Sequence, residues 1–244
     1  MKQRPIIFNT EMVQAILDGR KTQTRRMFKA QPHNDWAPFS KNAEWYTPTV
    51  IDKRGFYQPA NDEVFGVSDE DCAFVSPFGS VGDQLYVRET FCIGKYEAED
   101  RSPENGGEML YISQCTSDNN VIFKQHALEI GCSILETTWK PSIHMPRSCA
   151  RIILEVTNVR VERLIDICES DAKAEGINCV TFRDECLGLC EGFTRQKDDG
   201  KCQLARTAKS AFLDLWDSIY SNSNDNPFVW VIEFKVISTT GGAA

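Results

Sequence analysis

Apolar residues recur at helical spacing in three places along this 244-residue chain and form strand-like runs in five. Pro5 to Phe8 is the first such run and reads as a short strand. Met12, Ile16 and Leu17 then recur at helical spacing, with Val13 beside Met12. Asn9 or Thr10 supplies an N-cap and Gly19 suits the position just past a helix end. The pattern predicts a helix from about Thr10 to Asp18. A second helix is predicted over Leu164 to Glu175, with Glu169 and Asp171 in the first turn and Gly176 as terminator. The third runs from about Ala205 to Tyr220, its stripe formed by Phe212, Leu213, Leu215, Trp216 and Ile219. The remaining strands are Gln84 to Phe91, Leu110 to Gln114, Ala150 to Val161 and Phe228 to Ile237.

Between these elements the periodicity fails. Residues 28–80 are rich in Asn, Asp, Pro, Ser and aromatics and read as a long insertion of short strands or irregular chain. Residues 177–204 form a second insertion, carrying cysteines and charges. Residues 99–107 read as an exposed loop, and Trp139 to Arg147 as a loop ordered by two prolines. The expected architecture is a single α+β domain over 1–244, with a closed or nearly closed sheet, because such β-prone strands need paired edges.

Composition narrows the function classes. The net charge is -8, which argues against a chain that coats nucleic acid through general basicity. From Lys2 to Lys29, however, seven Lys or Arg face only two acids, Glu11 and Asp18. The start of the chain has no signal-peptide pattern and no stretch is long enough to span a bilayer, so a soluble, cytoplasmic protein is expected. Ten cysteines are present. Several sit in apolar runs, as small hydrophobes do. Cys179, Cys186, Cys190 and Cys202 offer a zinc-site alternative, but their spacing lacks the tight pairs that structural zinc favours. No metal or cofactor is predicted.

The basic segment is concentrated in LDGRKTQTRR, residues 17–26. In a regular strand Lys21, Gln23 and Arg25 share one face, and Thr22, Thr24 and Arg26 the other. Lys21 and Thr24 converge only if Lys21 lies in a turn before the strand, which Gly19 permits, or if a bulge intervenes. Two plain readings stand beside a catalytic one: a solvated or phosphate-contacting face, and cations placed at a helix C-terminus.

Together, ILDGRKTQTRR, RLIDICESDAKAEGI and FVWVIEFKVI resemble the ASCH domain, a relative of the PUA domain. GDQLYVRETF and WKPSIHMPR resemble the larger ASCH proteins of phages and prophages. The matching pieces occur in the family's order; the two insertions are not covered. The resemblance implies a PUA-like β-barrel flanked by a few helices, cytoplasmic in the host cell if phage-encoded, with a cleft beside the first helix and a nucleoside or RNA as partner. Small members of the family hydrolyse N4-acylated cytosine nucleosides. Carried over position by position, their active site points to Lys21, Thr24 and Glu175 as catalytic residues.

That chemistry is sufficient on paper. Amide hydrolysis needs a nucleophile, a base and an oxyanion stabiliser. Thr24 would attack, a neutral Lys21 would activate it, and Glu175 would carry the proton to the leaving amine. Arg20, Arg25 and Arg26 crowd Lys21 with like charge, which lowers an ammonium pKa, and are expected to contact substrate or oxyanion. Trp139 either stacks on a base or closes the core. His144 and Arg147 either line the cleft or hold their loop. Arg88 and Glu89 project to opposite faces, one of them towards the cleft or into a buried ion pair. The rival functions are a non-catalytic module that binds RNA or a modified base, and a ribonuclease.

Overall fold

The computed structural model describes residues 1–32, 37–68, 72–93, 95–100, 110–112, 121–129, 133–135, 138–184, 188–195 and 203–239. Its first elements are strand β1 (Gln3–Ile7), helix α1 (Thr10–Leu17), β2 (Gln23–Met27), α2 (Ala37–Asn42), β3 (Glu44–Tyr46), β4 (Thr49–Ile51) and β5 (Tyr57–Pro59). There follow β6 (Val64–Val67), β7 (Cys72–Phe74), β8 (Gln84–Arg88), β9 (Phe91–Ile93), β10 (Lys95–Asp100) and β11 (Leu110–Ile112). Next come β12 (Val121–Phe123), α3 (Lys124–Glu129), β13 (Ser133–Leu135) and β14 (Ile153–Arg163). The last are α4 (Glu169–Ala174), β15 (Asn178–Asp184), β16 (Gly188–Thr194), α5 (Ala208–Ile219) and β17 (Phe228–Ser238). The chain is therefore mixed α+β, rich in strands with few helices. No helix among the described residues is long and apolar enough to cross a membrane.

The chain groups into two compact units. The first holds residues 1–4, 20–84 and 155–235. Within it β17 lies between β14 and β2. The β17–β2 pairing is antiparallel and runs from Val229 opposite Met27 to Glu233 opposite Gln23. The 28–80 segment has an architecture of its own: β6 pairs with β3 on one side and β7 on the other. Aromatics join it to β17. Phe28 stacks on Trp230 at 4.3 Å, Phe39 meets Phe228 edge-on at 5.0 Å, and Trp45 lies 5.8 Å from Trp230. Phe28, Phe39 and Trp230 are buried. Segment 177–204 is a hairpin, β15 on β16, in unbroken register from Asn178 opposite Thr194 to Asp184 opposite Gly188.

The second unit holds residues 5–19, 85–154 and 236–244. In it β8 lies between β1 and the start of β14. Helix α1 begins as its sequence dictates: the Asn9 side chain accepts the Met12 N–H, and Gly19 takes the left-handed φ of +73° past the end. The strand expected over 84–91 is interrupted at Glu89 and Thr90 and resumes as β9, which pairs with β12. Phe91, Met145 and Ala150 form one buried cluster, and Cys92, Ile122 and Ala127 another.

Two helix starts differ from the periodicity reading. Over 164–175 the first turn is 3-10, Leu164–Asp166, and α4 starts only at Glu169. Ile167 is buried and Cys168 is extended, so burial of the apolar side chains takes precedence over a continuous helix. The helix expected from Ala205 begins at Ala208 because Thr207 is its cap, accepting the Ser210 N–H.

Candidate functional site

Residues 20–23 run along the C-terminal end of α4 and donate to carbonyls in its last turn and just past it. The last carbonyls of a helix have no partner within the helix. Here Arg20 Nη1 donates to Gly176 O at 2.8 Å and Lys21 Nζ to Glu175 O at 2.8 Å. Thr22 N donates to Ala174 O at 2.9 Å, and Gln23 Nε2 to Asp171 O at 2.9 Å. A cationic sequence thus meets the negative end of a helix dipole. The helix is α4, 150 residues along the chain, and not the α1 that the segment directly follows. Gly176, at φ +101°, ends α4 and lets the chain leave.

Lys21 and Glu175 are brought together. Their backbones form an isolated antiparallel bridge, and Lys21 Nζ donates to Glu175 Oε2 at 2.8 Å. Both side chains are sealed, at 1% and 3% exposure. Burial holds the Lys21 ammonium below its ordinary pKa; the Glu175 carboxylate opposes this, and Arg26 and Arg25 add to it.

Arg25 extends the pair into a network. Its guanidinium donates to Glu175 Oε1 at 3.2 Å, and to Glu162 Oε2 and Asp171 Oδ2 at 2.8 Å each. Arg160 adds a bond to Asp171 Oδ2 at 2.9 Å and pairs with Glu162 and Glu233. Burial disfavours the Asp171 carboxylate, but hydrogen bonds and charge from Arg25 and Arg160 outweigh this and lower its pKa. Asp171, Glu162, Arg160 and Glu233 were not among the residues singled out from sequence as a site. Their signal was present: Arg160 and Glu162 alternate with Val159 and Val161, and Glu233 interrupts an apolar run.

Thr24 is placed differently. It lies in β2 opposite Ile232 and is buried. Lys21, Gln23 and Arg25 all reach α4, so strand alternation puts Thr24 on the other face, with Arg26. Lys21 precedes β2, as convergence with Thr24 required, yet its amine turns to Glu175.

The other expected contact residues, Trp139, His144 and Arg147, belong to the second unit. Trp139 packs against the cluster of Cys92, Ile122 and Ala127. His144 and Arg147 are exposed and lie in short 3-10 turns. Their loop is held by Arg88, which donates to Met145 O at 3.0 Å and to Ile143 O. Glu89 is buried in a two-pronged ion pair with Arg151, at 3.0 and 2.8 Å. Arg151 also donates to Gln125 and covers the Phe123 ring at 4.2 Å.

Of the four cysteines weighed as metal ligands, Cys186 and Cys202 lie outside the described residues. Cys179 and Cys190 are free thiols. The hairpin register puts Cys179 across from Phe193 and Cys190 across from Phe182, so the two point to opposite faces. Among the described residues no three His, Cys, Asp or Glu side chains are gathered for a metal. Comparison of the chain with protein-family models, curated proteins and solved structures finds no match.

Proposed function

We propose that this protein is an amidohydrolase acting on N4-acylated cytosine nucleosides, with Lys21 and Glu175 as its proton-handling pair. The observation that carries the reading is their 2.8 Å contact in a buried site, made across 154 residues of chain. These are two of the three positions to which the resemblance to ASCH proteins pointed. A PUA-like barrel and a nucleoside or RNA partner belong to the same reading. In the reaction, the Thr24 hydroxyl oxygen bonds to the acyl carbon as its proton passes to the Lys21 amine. The bond to N4 breaks as that nitrogen takes a proton by way of Glu175, and water then releases the acyl group as a carboxylic acid. Burial supports the base role, because it lowers the pKa of Lys21. Activity should rise with pH along a limb centred below the ordinary 10.5. The reaction also requires Thr24 and Lys21 to come to one side, through rotation of the chain ahead of β2.

Incubation with N4-acetylcytidine, followed by loss of the acylated-base absorbance, tests this. Wild type should turn over, and Lys21→Ala and Glu175→Gln, verified as folded by circular dichroism, should be slower by roughly 10²- to 10⁴-fold. A wild-type protein without turnover removes the hydrolase reading. The 1% and 3% exposures favour a second reading, in which the pair is a structural bracket and the protein binds RNA or a modified base without chemistry. Wild-type binding of N4-acetylcytidine without turnover would select it.

A further inference from the structure

The β4–β5 hairpin, from Pro48 to Ala60, stands out from the first unit as a finger with solvent on both sides. Its base is closed by Ala60 N donating to Pro48 O at 2.8 Å, and its strands pair from Thr49 opposite Pro59 to Ile51 opposite Tyr57. The tip is tightly built. Gly55 N donates to Asp52 O at 3.0 Å, and Gly55 adopts φ +87°, a value that favours glycine. The Asp52 carboxylate accepts the N–H groups of Arg54 and Phe56 at 2.8 and 2.9 Å, so its charge is taken up inside the turn. Lys53 and Arg54 are left exposed at the apex.

An isolated two-stranded hairpin is marginal in water and is normally stabilised by a packed face. This one leaves Ile51 62%, Phe56 68% and Tyr57 78% exposed. Tyr57 opens β5, and Phe56 is the turn residue just before it. Two exposed aromatic rings thus stand within four residues of two exposed cations, on a protein whose net charge is -8. A single nucleic-acid strand suits this arrangement: bases stack on aromatic rings whatever their identity, and cations at the tip meet the backbone phosphates.

We infer that the 48–60 finger binds single-stranded nucleic acid, with Phe56 and Tyr57 as base-stacking platforms and Lys53 and Arg54 on phosphates. This extends the proposed function from a free nucleoside to a base within a strand, and rests on that reading only for what the strand presents. Anisotropy of a fluorescein-labelled single-stranded RNA of about 12 nucleotides, long enough to cover a typical single-strand site, tests it. Phe56→Ala with Tyr57→Ala should weaken binding at least tenfold, as loss of roughly five- to hundredfold per stacked base implies. Lys53→Glu with Arg54→Glu should flatten the slope of log affinity against log salt by about 1.4, at ~0.7 per phosphate. Phe182→Ala, on the exposed β15 hairpin, should leave binding unchanged. The finger variants should keep any wild-type turnover of free N4-acetylcytidine, so failure of one idea is distinguishable from failure of the other. Absent RNA binding, or equal binding by wild type and finger variants, overturns the assignment; the second result would leave the finger to a protein partner.

Discussion

Replacing Lys21 with methionine tests whether the buried pair holds the first unit together. Methionine keeps an unbranched chain of similar length but removes both 2.8 Å bonds, one to the Glu175 carboxylate and one to its carbonyl. What remains for the carboxylate is Arg25 at 3.2 Å. Exposure decides the size of the effect. An exposed ion pair contributes under about 1 kcal/mol, whereas stranding one partner of a buried pair costs about 3–5 kcal/mol. At 1% and 3% exposure the second case applies, and the remaining Arg25 bond holds the loss to the lower end of that range. A loss of that size is a large share of the roughly 5–15 kcal/mol by which domains are stable. The assay is urea denaturation followed by tryptophan fluorescence, since Trp216 and Trp230 lie in the same unit. Glu175→Gln in the Lys21→Met background removes the stranded charge. The double variant should lose less than the sum of the two single losses, by about 1–3 kcal/mol. A Lys21→Met protein within about 0.5 kcal/mol of wild type, or strictly additive singles, would refute the reasoning.

Three further outcomes are expected. Arg25→Lys keeps the charge but has no fork to span Glu175, Glu162 and Asp171, so urea denaturation should show a loss of about 2–3 kcal/mol. Asp171 has a folded pKa below the ordinary 3.8, so its stabilising share is complete above that value and is lost as pH falls through the lower one. Acid titration followed by circular dichroism should therefore be less steep below pH 3.8 in Asp171→Asn than in wild type. Gly192→Ala would place a Cβ 2.7 Å from Leu204 Cδ1 and 2.8 Å from its Cβ, costing about 1–3 kcal/mol, and Leu204→Ala should recover part of the lowered melting temperature.

Local chemistry made several elements legible in the sequence. Asn9 and Gly19 bracket α1, and the apolar stripe of Phe212, Leu215 and Trp216 marks α5. The alternation of Lys21, Gln23 and Arg25 was readable too, and it places all three on α4. The helix they cap was not readable, because helix capping across 150 residues leaves no local pattern. Segment 28–80 was illegible for another reason. Its strands are three or four residues long, too short to display a two-residue period, and its core is a ring cluster of Phe28, Phe39, Phe65 and Phe74. One of Arg88 and Glu89 was read as facing a cleft or a buried ion pair; only the fold selects Glu89 and supplies Arg151, 62 residues on.

The position of β17 has a consequence for biosynthesis. It is the last strand described, yet in the first unit it lies between β14 and β2. Until β17 is made, β2 and one edge of β14 lack the strand they share, and the amides and carbonyls on that side are open to any extended segment nearby. The unit must therefore acquire its middle after its flanks, which makes assembly slow and gives premature termination before residue 228 a disproportionate penalty in aggregation.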